Sequence, residues 1–320
     1  MATAEQIKSL VKAFVARDDS KFKTVVLQIA AQEAKLGHSN IAQELKKEVS
    51  NLEVEQSAKI LRLSTQNPLL EFSNPSVRLS ELIASDEIVA KIKRVLIEYR
   101  NKNKLYSCGL SNRKRILLEG PPGTGKTMTA SILASELGLP LFTVQVDKLV
   151  TKFMGETSTR LRQIFENMSS DVGVYLFDEF DAIGSDRSMD NEVGEMRRIL
   201  NSFLQLIEMD ASDSIIIAAT NNQRMLDSAL FRRFDDVIHY KLPDKYQIRK
   251  FFENRLDDYA DKKVCDDEVI EAANGLSHAE LSLACENAIK ELILFDHQIT
   301  SSMLVSLLNE RHRVYKSKEA

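Results

Sequence analysis

A segment of eight residues constrains this chain of 320 residues more than any other feature of its sequence. It reads Gly120-Pro121-Pro122-Gly123-Thr124-Gly125-Lys126-Thr127 and fills every fixed position of a phosphate-binding P-loop. Glycines at these positions let the backbone turn tightly, so that successive N–H groups point toward phosphate oxygens. The apolar segment 115–119 precedes the loop, and a helical pattern from Met128 follows it. This strand–loop–helix order is the context in which a P-loop binds a nucleoside triphosphate.

The side chains of the P-loop predict a site for ATP and Mg²⁺. We expect Lys126 to reach the β- and γ-phosphates and the Thr127 hydroxyl to hold Mg²⁺. The positive end of the following helix faces the same anions. We therefore predict that the whole loop 120–127 and Met128 bind the nucleotide.

An acidic pair follows the next strongly apolar run, Val172 to Phe177. Ligands of a doubly wound sheet lie at the carboxyl ends of its strands. We therefore expect Asp178 to bind Mg²⁺ through water and Glu179 to polarise the attacking water. Taken alone, the dipeptide would fit an acidic strand end in solvent equally well, but a P-loop upstream favours the catalytic interpretation.

A third apolar run, 214–220, ends at Asn221. The amide of Asn221 is a candidate to hold the attacking water near the γ-phosphate. Spacing alone is equally compatible with an ordinary loop asparagine.

The order of the P-loop, 177–179, 219–221 and 226–235 resembles the AAA family of the wider AAA+ ATPases. The resemblance runs from about residue 78 to residue 315 and implies ring-forming ATPases, commonly hexamers, with active sites between subunits. Asn221 matches the family's sensor 1. Arg232 and Arg233 match the arginine fingers, whose planar charge reaches the γ-phosphate bound by the neighbouring subunit. Many members separate the two arginines by a Pro-Gly pair, so their adjacency here leaves open which one points at the nucleotide.

The resemblance also implies a substrate-gripping loop. Phe153, Met154 and Gly155 match the family's first pore loop, in which an aromatic and an apolar residue grip an extended polypeptide. A core position for Phe153 is the alternative, but its polar flanks favour exposure. The segment 186–195 resembles a second pore loop.

Two further segments resemble the family's adenine contacts. The segment 272–281 resembles the start of a helix in the family's small lid domain, which implies that His278 and Ala279 lie beside the base. Relatives usually carry glycine where His278 stands. Ser277 and Glu280 have the spacing of a capping box. A plain helix start is therefore the alternative to an adenine contact, and both can be true. Upstream, Ile83 matches a residue that cradles the adenine.

Composition excludes several other classes of protein. The net charge of −4 gives no sign of a dedicated polyanion binder, so nucleic acid is not an expected partner. No apolar run is long enough to span a membrane, and the first residues lack the pattern of a secretory signal. The cysteines, Cys108, Cys265 and Cys285, lack metal-ligand spacing and fit a reducing cytosol. We expect a cytoplasmic location.

Periodicity divides the chain into domains. Three amphipathic patterns open it and predict a small all-α bundle over 1–63 that serves as an adaptor or partner domain, or as a stabilising appendage. A linker over 64–78 precedes an α/β nucleotide-binding domain over 79–243, predicted as a doubly wound parallel sheet. A helical lid over 244–320 completes the chain.

These features together favour an ATP-hydrolysing, ring-forming enzyme that remodels or threads a protein substrate. The chain has no protease nucleophile and no His-Glu-x-x-His motif, so any proteolysis must come from a partner. Its compact layout resembles prokaryotic ATPases that are paired with a subtilisin-like protease in plasmid-maintenance and anti-phage systems. A nucleic-acid motor or loader, and a nucleotide switch that controls a partner without threading, are the alternatives.

Overall fold

The computed structural model describes residues 4–15, 19–35, 38, 41, 43, 45, 67–149, 156–180, 190–221, 231–261 and 264–316. The chain divides into two compact units, Met1–Phe72 and Ser73–Ala320. None of the helices described is long and apolar enough to cross a membrane.

The first unit contains a pair of helices, α1 (Ala4–Val15) and α2 (Asp19–Lys35), and the boundary between the units falls within strand β1 (Leu70–Ser73). The helices pack together because each has an apolar face, and Ala13 and Ala30 are fully buried. Most of the third predicted helix lies outside the described residues.

The second unit is built on parallel strands that stand in the order β3-β4-β5-β2-β6. Their bounds are β2 (Arg115–Glu119), β3 (Leu141–Val144), β4 (Val174–Phe177), β5 (Ile215–Thr220) and β6 (Asp236–His239). Every residue of β4 and β5 is buried, as expected for strands that are covered on both faces. β3 is two residues shorter than the apolar run 141–146 suggests, because Val146 begins a short helix.

Helices cover both faces of this sheet. They are α3 (Asp86–Arg100), α4 (Lys102–Ser107), α5 (Lys126–Leu137), α6 (Val146–Leu149), α7 (Glu156–Ser170) and α8 (Asp190–Met209). On one face, Ile92 of α3 and Ile132 of α5 pack in a core with the strands. On the other, the ring of Phe177 packs against Phe165 of α7 and Phe203 of α8, with centroids 6.3 and 4.8 Å away. The predicted doubly wound α/β architecture is confirmed.

A group of helices with its own apolar core follows the sheet. It consists of α9 (Lys245–Leu256), α10 (Asp267–Ala273), α11 (His278–Phe295) and α12 (Ser301–Lys316). The Ser277 side chain accepts a hydrogen bond from the Glu280 N–H and caps α11, as the sequence predicts. The carboxylate of Glu280 accepts from Arg311, which ties the start of α11 to α12.

Candidate functional site

Three strands of the sheet end side by side and bring the predicted site residues to one edge. β5 lies between β4 and β2, with Glu119 opposite Thr220 and Phe177 opposite Ala218. The P-loop, Asp178 and Asn221 each follow one of these strands directly. Their convergence at the carboxyl edge of a parallel sheet is the position at which such sheets bind ligands.

The lysine of the P-loop is folded over the loop that precedes it. The Lys126 ammonium donates hydrogen bonds to the carbonyls of Gly120 and Pro121, each at 2.8 Å, and the residue is only 6% exposed. Thr124 closes the loop from the side, since its hydroxyl donates to the Pro121 carbonyl at 2.7 Å. The positive charge thus lies at the N-terminus of α5, where the helix dipole also favours an anion.

The hydroxyl of the residue after the lysine contacts the carboxylate of Asp178. The Thr127 hydroxyl donates to Oδ2 of Asp178 at 2.6 Å. The other oxygen of Asp178 accepts the Glu179 backbone N–H at 2.9 Å. Glu179 has a positive φ of 50°, which is uncommon for a residue with a side chain, and its side chain is exposed. Such strained conformations are concentrated at functional sites.

The lid helices contact the P-loop through the turn that begins α11. The Ala279 N–H donates to the Gly123 carbonyl at 3.1 Å. A Cβ atom at Gly123 would lie 2.6 Å from Oγ of Ser277 and 2.8 Å from Cβ of Ala279, so the contact requires glycine. The backbone of Gly123 also has a positive φ of 71°. The lid turn and the phosphate loop therefore touch directly.

His278 follows this cap and has two buried ring nitrogens. Neither nitrogen has a hydrogen-bond partner within the described part of the chain. The ring packs 5.8 Å from that of Phe251, and burial lowers the pKa of His278 below its ordinary value. A neutral ring with an unused donor and an unused acceptor suits the polar edge of a base. Ile83, the other predicted base contact, is half-buried.

The two adjacent arginines differ in their surroundings. Arg233 forms an ion pair with Glu208 near the end of α8. Arg232 is exposed, and it has no ion pair with any residue that the structure describes. The predicted gripping residues Phe153, Met154 and Gly155 lie outside the described residues, as do 186–189 of the second predicted loop.

Sequence reasoning missed a buried hydroxyl pair under the P-loop. Tyr240 and Thr129 bring their oxygens within 2.5 Å of each other, although 111 positions separate them in the chain. Neither position carries a local sequence signal that could have revealed the pair. Met128, which we predicted to bind the nucleotide from its place after the P-loop, packs its side chain against the core.

The site has the residues that ATP and Mg²⁺ require. Hydroxyl and carboxylate oxygens are the protein ligands that Mg²⁺ prefers, and those of Thr127 and Asp178 adjoin each other. Lys126 supplies a cation next to a loop of backbone donors, which fits a polyphosphate. Glu179 supplies an exposed carboxylate at the same strand end, where it could accept a proton.

Known proteins resemble this chain over the site and well beyond it. The family described as "ATPase family associated with various cellular activities (AAA)" matches residues 116–242. An uncharacterized AAA family ATPase, y4kL, of Sinorhizobium fredii is 34% identical over an alignment of 303 residues that covers 92% of this chain and 90% of that protein.

Two other matches concern smaller parts of larger proteins or the fold alone. The ATP-dependent zinc metalloprotease FtsH 4 of Sphaerobacter thermophilus is 37% identical over an alignment of 180 residues that covers 53% of this chain and 27% of that protein. The crystal structure of the FIGL-1 AAA domain aligns with a TM-score of 0.62 at 20% identity, covering 78% of this chain and 88% of that one. This second likeness shows that the folds agree.

Proposed function

This chain belongs to the AAA family of ATPases, and on that premise we propose that it forms a ring, binds Mg²⁺-ATP at the P-loop and remodels or threads a protein substrate. As a family member it is an ATP-hydrolysing enzyme. The observation that carries the nucleotide-binding part of the proposal is the convergence of Lys126, the Thr127–Asp178 pair and Glu179 at one sheet edge. Binding groups and a catalytic carboxylate thus lie within one site.

Each group has a distinct task at this site. Lys126 leaves its carbonyl partners and binds the β- and γ-phosphates, while the loop's N–H groups bind the remaining phosphate oxygens. Thr127 and Asp178 hold Mg²⁺, which neutralises phosphate charge. Glu179 accepts the proton of the attacking water, and Asn221 orients that water. His278 and Ala279 lie against the base, where the ring nitrogens of His278, which have no hydrogen-bond partner among the described residues, gain hydrogen bonds.

Ring assembly would complete the site. Arg232 is exposed and unpaired among the described residues, so its guanidinium is available to a nucleotide bound by a neighbouring copy. An arginine supplied in this way stabilises the charge that develops as the phosphoryl group leaves. A hexamer is the assembly we propose, because it is common in the family that this chain resembles.

A protein is the substrate that we propose. The FtsH relative is named as an ATP-dependent protease, which supports a protein as the substrate of this chain. Phe153 and Met154 are large, apolar and tolerant of different sequences, which suits contact with an unfolded chain. A partner protease would supply any cleavage, since this chain carries no nucleophile motif.

The test compares the ATPase rate with and without an unfolded protein. We expect unfolded casein to stimulate phosphate release, and we expect Phe153→Ala to abolish that stimulation. Tyr246→Ala is the matched control, because Tyr246 is an aromatic residue that is 74% exposed on α9 and is not part of the predicted gripping segment. The control should retain the stimulation.

Three results would contradict the proposal in different ways. Stimulation by single-stranded DNA or RNA, but by no protein, would favour a nucleic-acid motor. Stimulation by neither would favour a nucleotide switch. Full stimulation of the Phe153→Ala protein would remove the gripping role of that loop.

A further inference from the structure

Tyr240 follows β6 and packs against the first residue of the P-loop. It is 4% exposed, and its N–H donates to the Glu119 carbonyl at 2.6 Å. A Cβ atom at Gly120 would lie 2.3 Å from the Tyr240 carbonyl oxygen, so the two backbones are in the closest contact that glycine permits. The backbone of Tyr240 is therefore bonded to the residue before the loop and packs against the first residue of the loop.

The side chain of Tyr240 extends under the loop to its far end. Its hydroxyl lies 2.5 Å from the Thr129 hydroxyl, which in turn donates to the Gly125 carbonyl at 3.0 Å. The Thr129 N–H donates to the same carbonyl at 2.9 Å. A threonine hydroxyl has one hydrogen, and Thr129 gives it to Gly125, so Tyr240 must be the donor to Thr129.

The Tyr240 hydroxyl stays protonated, as it must in order to donate to Thr129. Burial raises the pKa of Tyr240 to about 12, so the hydroxyl stays neutral and able to donate over the physiological range. The bonds then run in one direction, from Tyr240 through Thr129 to Gly125. Gly125 immediately precedes Lys126, the residue that carries the phosphate-binding charge.

We propose that Tyr240 is a positioning residue of the phosphate site, which fixes the distance between the two ends of the P-loop. Its backbone bonds Glu119 and packs against Gly120, and its hydroxyl reaches Gly125 through Thr129. The N–H groups between these two glycines bind phosphate only if they point to a common centre. This proposal rests on the nucleotide binding put forward above and names a group that determines its strength.

The consequence is a specific pattern of weakened binding. Tyr240→Phe removes one hydroxyl and leaves the ring, so the loop loses its distal support without a cavity. ADP and ATP share the phosphates that the loop surrounds, so both should bind more weakly by a similar factor. Turnover at saturating ATP should change little, because an interaction shared by the ground state and the transition state affects KM and not kcat.

The experiment measures the Kd of the full chain for fluorescent ADP and for a non-hydrolysable fluorescent ATP analogue. We expect Tyr240→Phe to raise both Kd values about threefold to tenfold, the effect of one net hydrogen bond. We also expect KM for ATP to rise by the same factor while kcat stays within about twofold. Tyr175→Phe is the matched control, because Tyr175 is fully buried in β4 and its hydroxyl donates to the Asp171 carbonyl at 2.8 Å.

If Tyr240→Phe does not fold, a second pair of variants tests the hydrogen bonds that run from Tyr240 through Thr129 to Gly125. Thr129→Ser keeps the hydroxyl and should bind nucleotide nearly as the wild type does, whereas Thr129→Val should weaken binding at least as much as Tyr240→Phe. Equal affinities of the serine and valine variants would overturn the proposal.

Other results separate this proposal from the one on which it rests. Wild-type affinity in the Tyr240→Phe protein, or an equal loss in Tyr175→Phe, would remove the positioning role while nucleotide binding stands. A wild-type chain that binds neither nucleotide would overturn the proposed function and the positioning role with it.

Discussion

Gly123→Ala should separate the lid from the P-loop. Gly123 has a φ of 71°, and an alanine in this conformation costs roughly 1–2 kcal/mol. The new methyl group would also lie 2.6 Å from Oγ of Ser277 and 2.8 Å from Cβ of Ala279. The lid turn must move, which breaks the hydrogen bond from the Ala279 N–H to the Gly123 carbonyl and costs about 1 kcal/mol more.

Gly138→Ala isolates the backbone contribution to this loss. Gly138 ends α5 with a φ of 64°, and a Cβ atom there would meet nothing within 4 Å. It therefore carries a similar conformational cost without any steric contact. We expect Gly123→Ala to lose about 1–3 kcal/mol more unfolding free energy than Gly138→Ala, the range for overpacking and a lost hydrogen bond.

Thermal melts and nucleotide titrations of the two variants provide the assay. Each kcal/mol of lost unfolding free energy should lower the melting temperature by about 2–4 °C in a unit of this size. Only Gly123→Ala should also bind ADP more weakly, because only there is the lid turn displaced from the phosphate loop. Equal melting temperatures and equal ADP affinities in the two variants would refute the contact between lid and loop as a determinant of binding.

Two further predictions concern pH and assembly. In the unfolded chain His278 is protonated near pH 6.5, but burial lowers its pKa in the folded protein. Acidification through pH 6.5 should therefore destabilise the wild type more than the His278→Phe protein. Equal losses of melting temperature in the two proteins between pH 7.5 and 5.5 would exclude His278 as the titrating group. The Arg232→Ala and Lys126→Ala proteins should each be inactive alone. Mixing them should restore part of the phosphate release, because some interfaces then pair an intact P-loop with an intact arginine. A mixture no more active than its components would contradict the supply of the arginine by a neighbouring copy.

The sequence was most informative where structure follows from local chemistry. The P-loop glycines and the apolar run before them predicted β2 and the start of α5 because turn geometry and strand burial each leave a local signature. The helix start predicted within 272–281 is at His278, since Ser277 is a strong cap. The parallel order of the sheet then placed Asp178 and Asn221 at one edge.

Contacts between distant segments could not be predicted in this way. The pairing of Tyr240 with Thr129 depends on how β6 packs beside β2, and no periodic pattern records that. The adjacency of Arg232 and Arg233 left their difference open, and the position of Glu208 on α8 distinguishes them. β4 begins at Val174 and not at Val172, and the packing of Gly173 under the ring of Phe142, where a Cβ atom would be 2.7 Å away, left no local signal either.

The most direct test compares wild type, Lys126→Ala and Glu179→Gln in parallel titrations with ATP and assays of phosphate release. Lys126→Ala should lose ATP binding, because the cation that faces the phosphates is gone. Glu179→Gln should bind ATP as the wild type does and hydrolyse it about 10²–10⁴-fold more slowly, the usual contribution of a general base. Wild-type turnover by Glu179→Gln, with ATP bound normally, would contradict the assignment of this carboxylate and the site built around it.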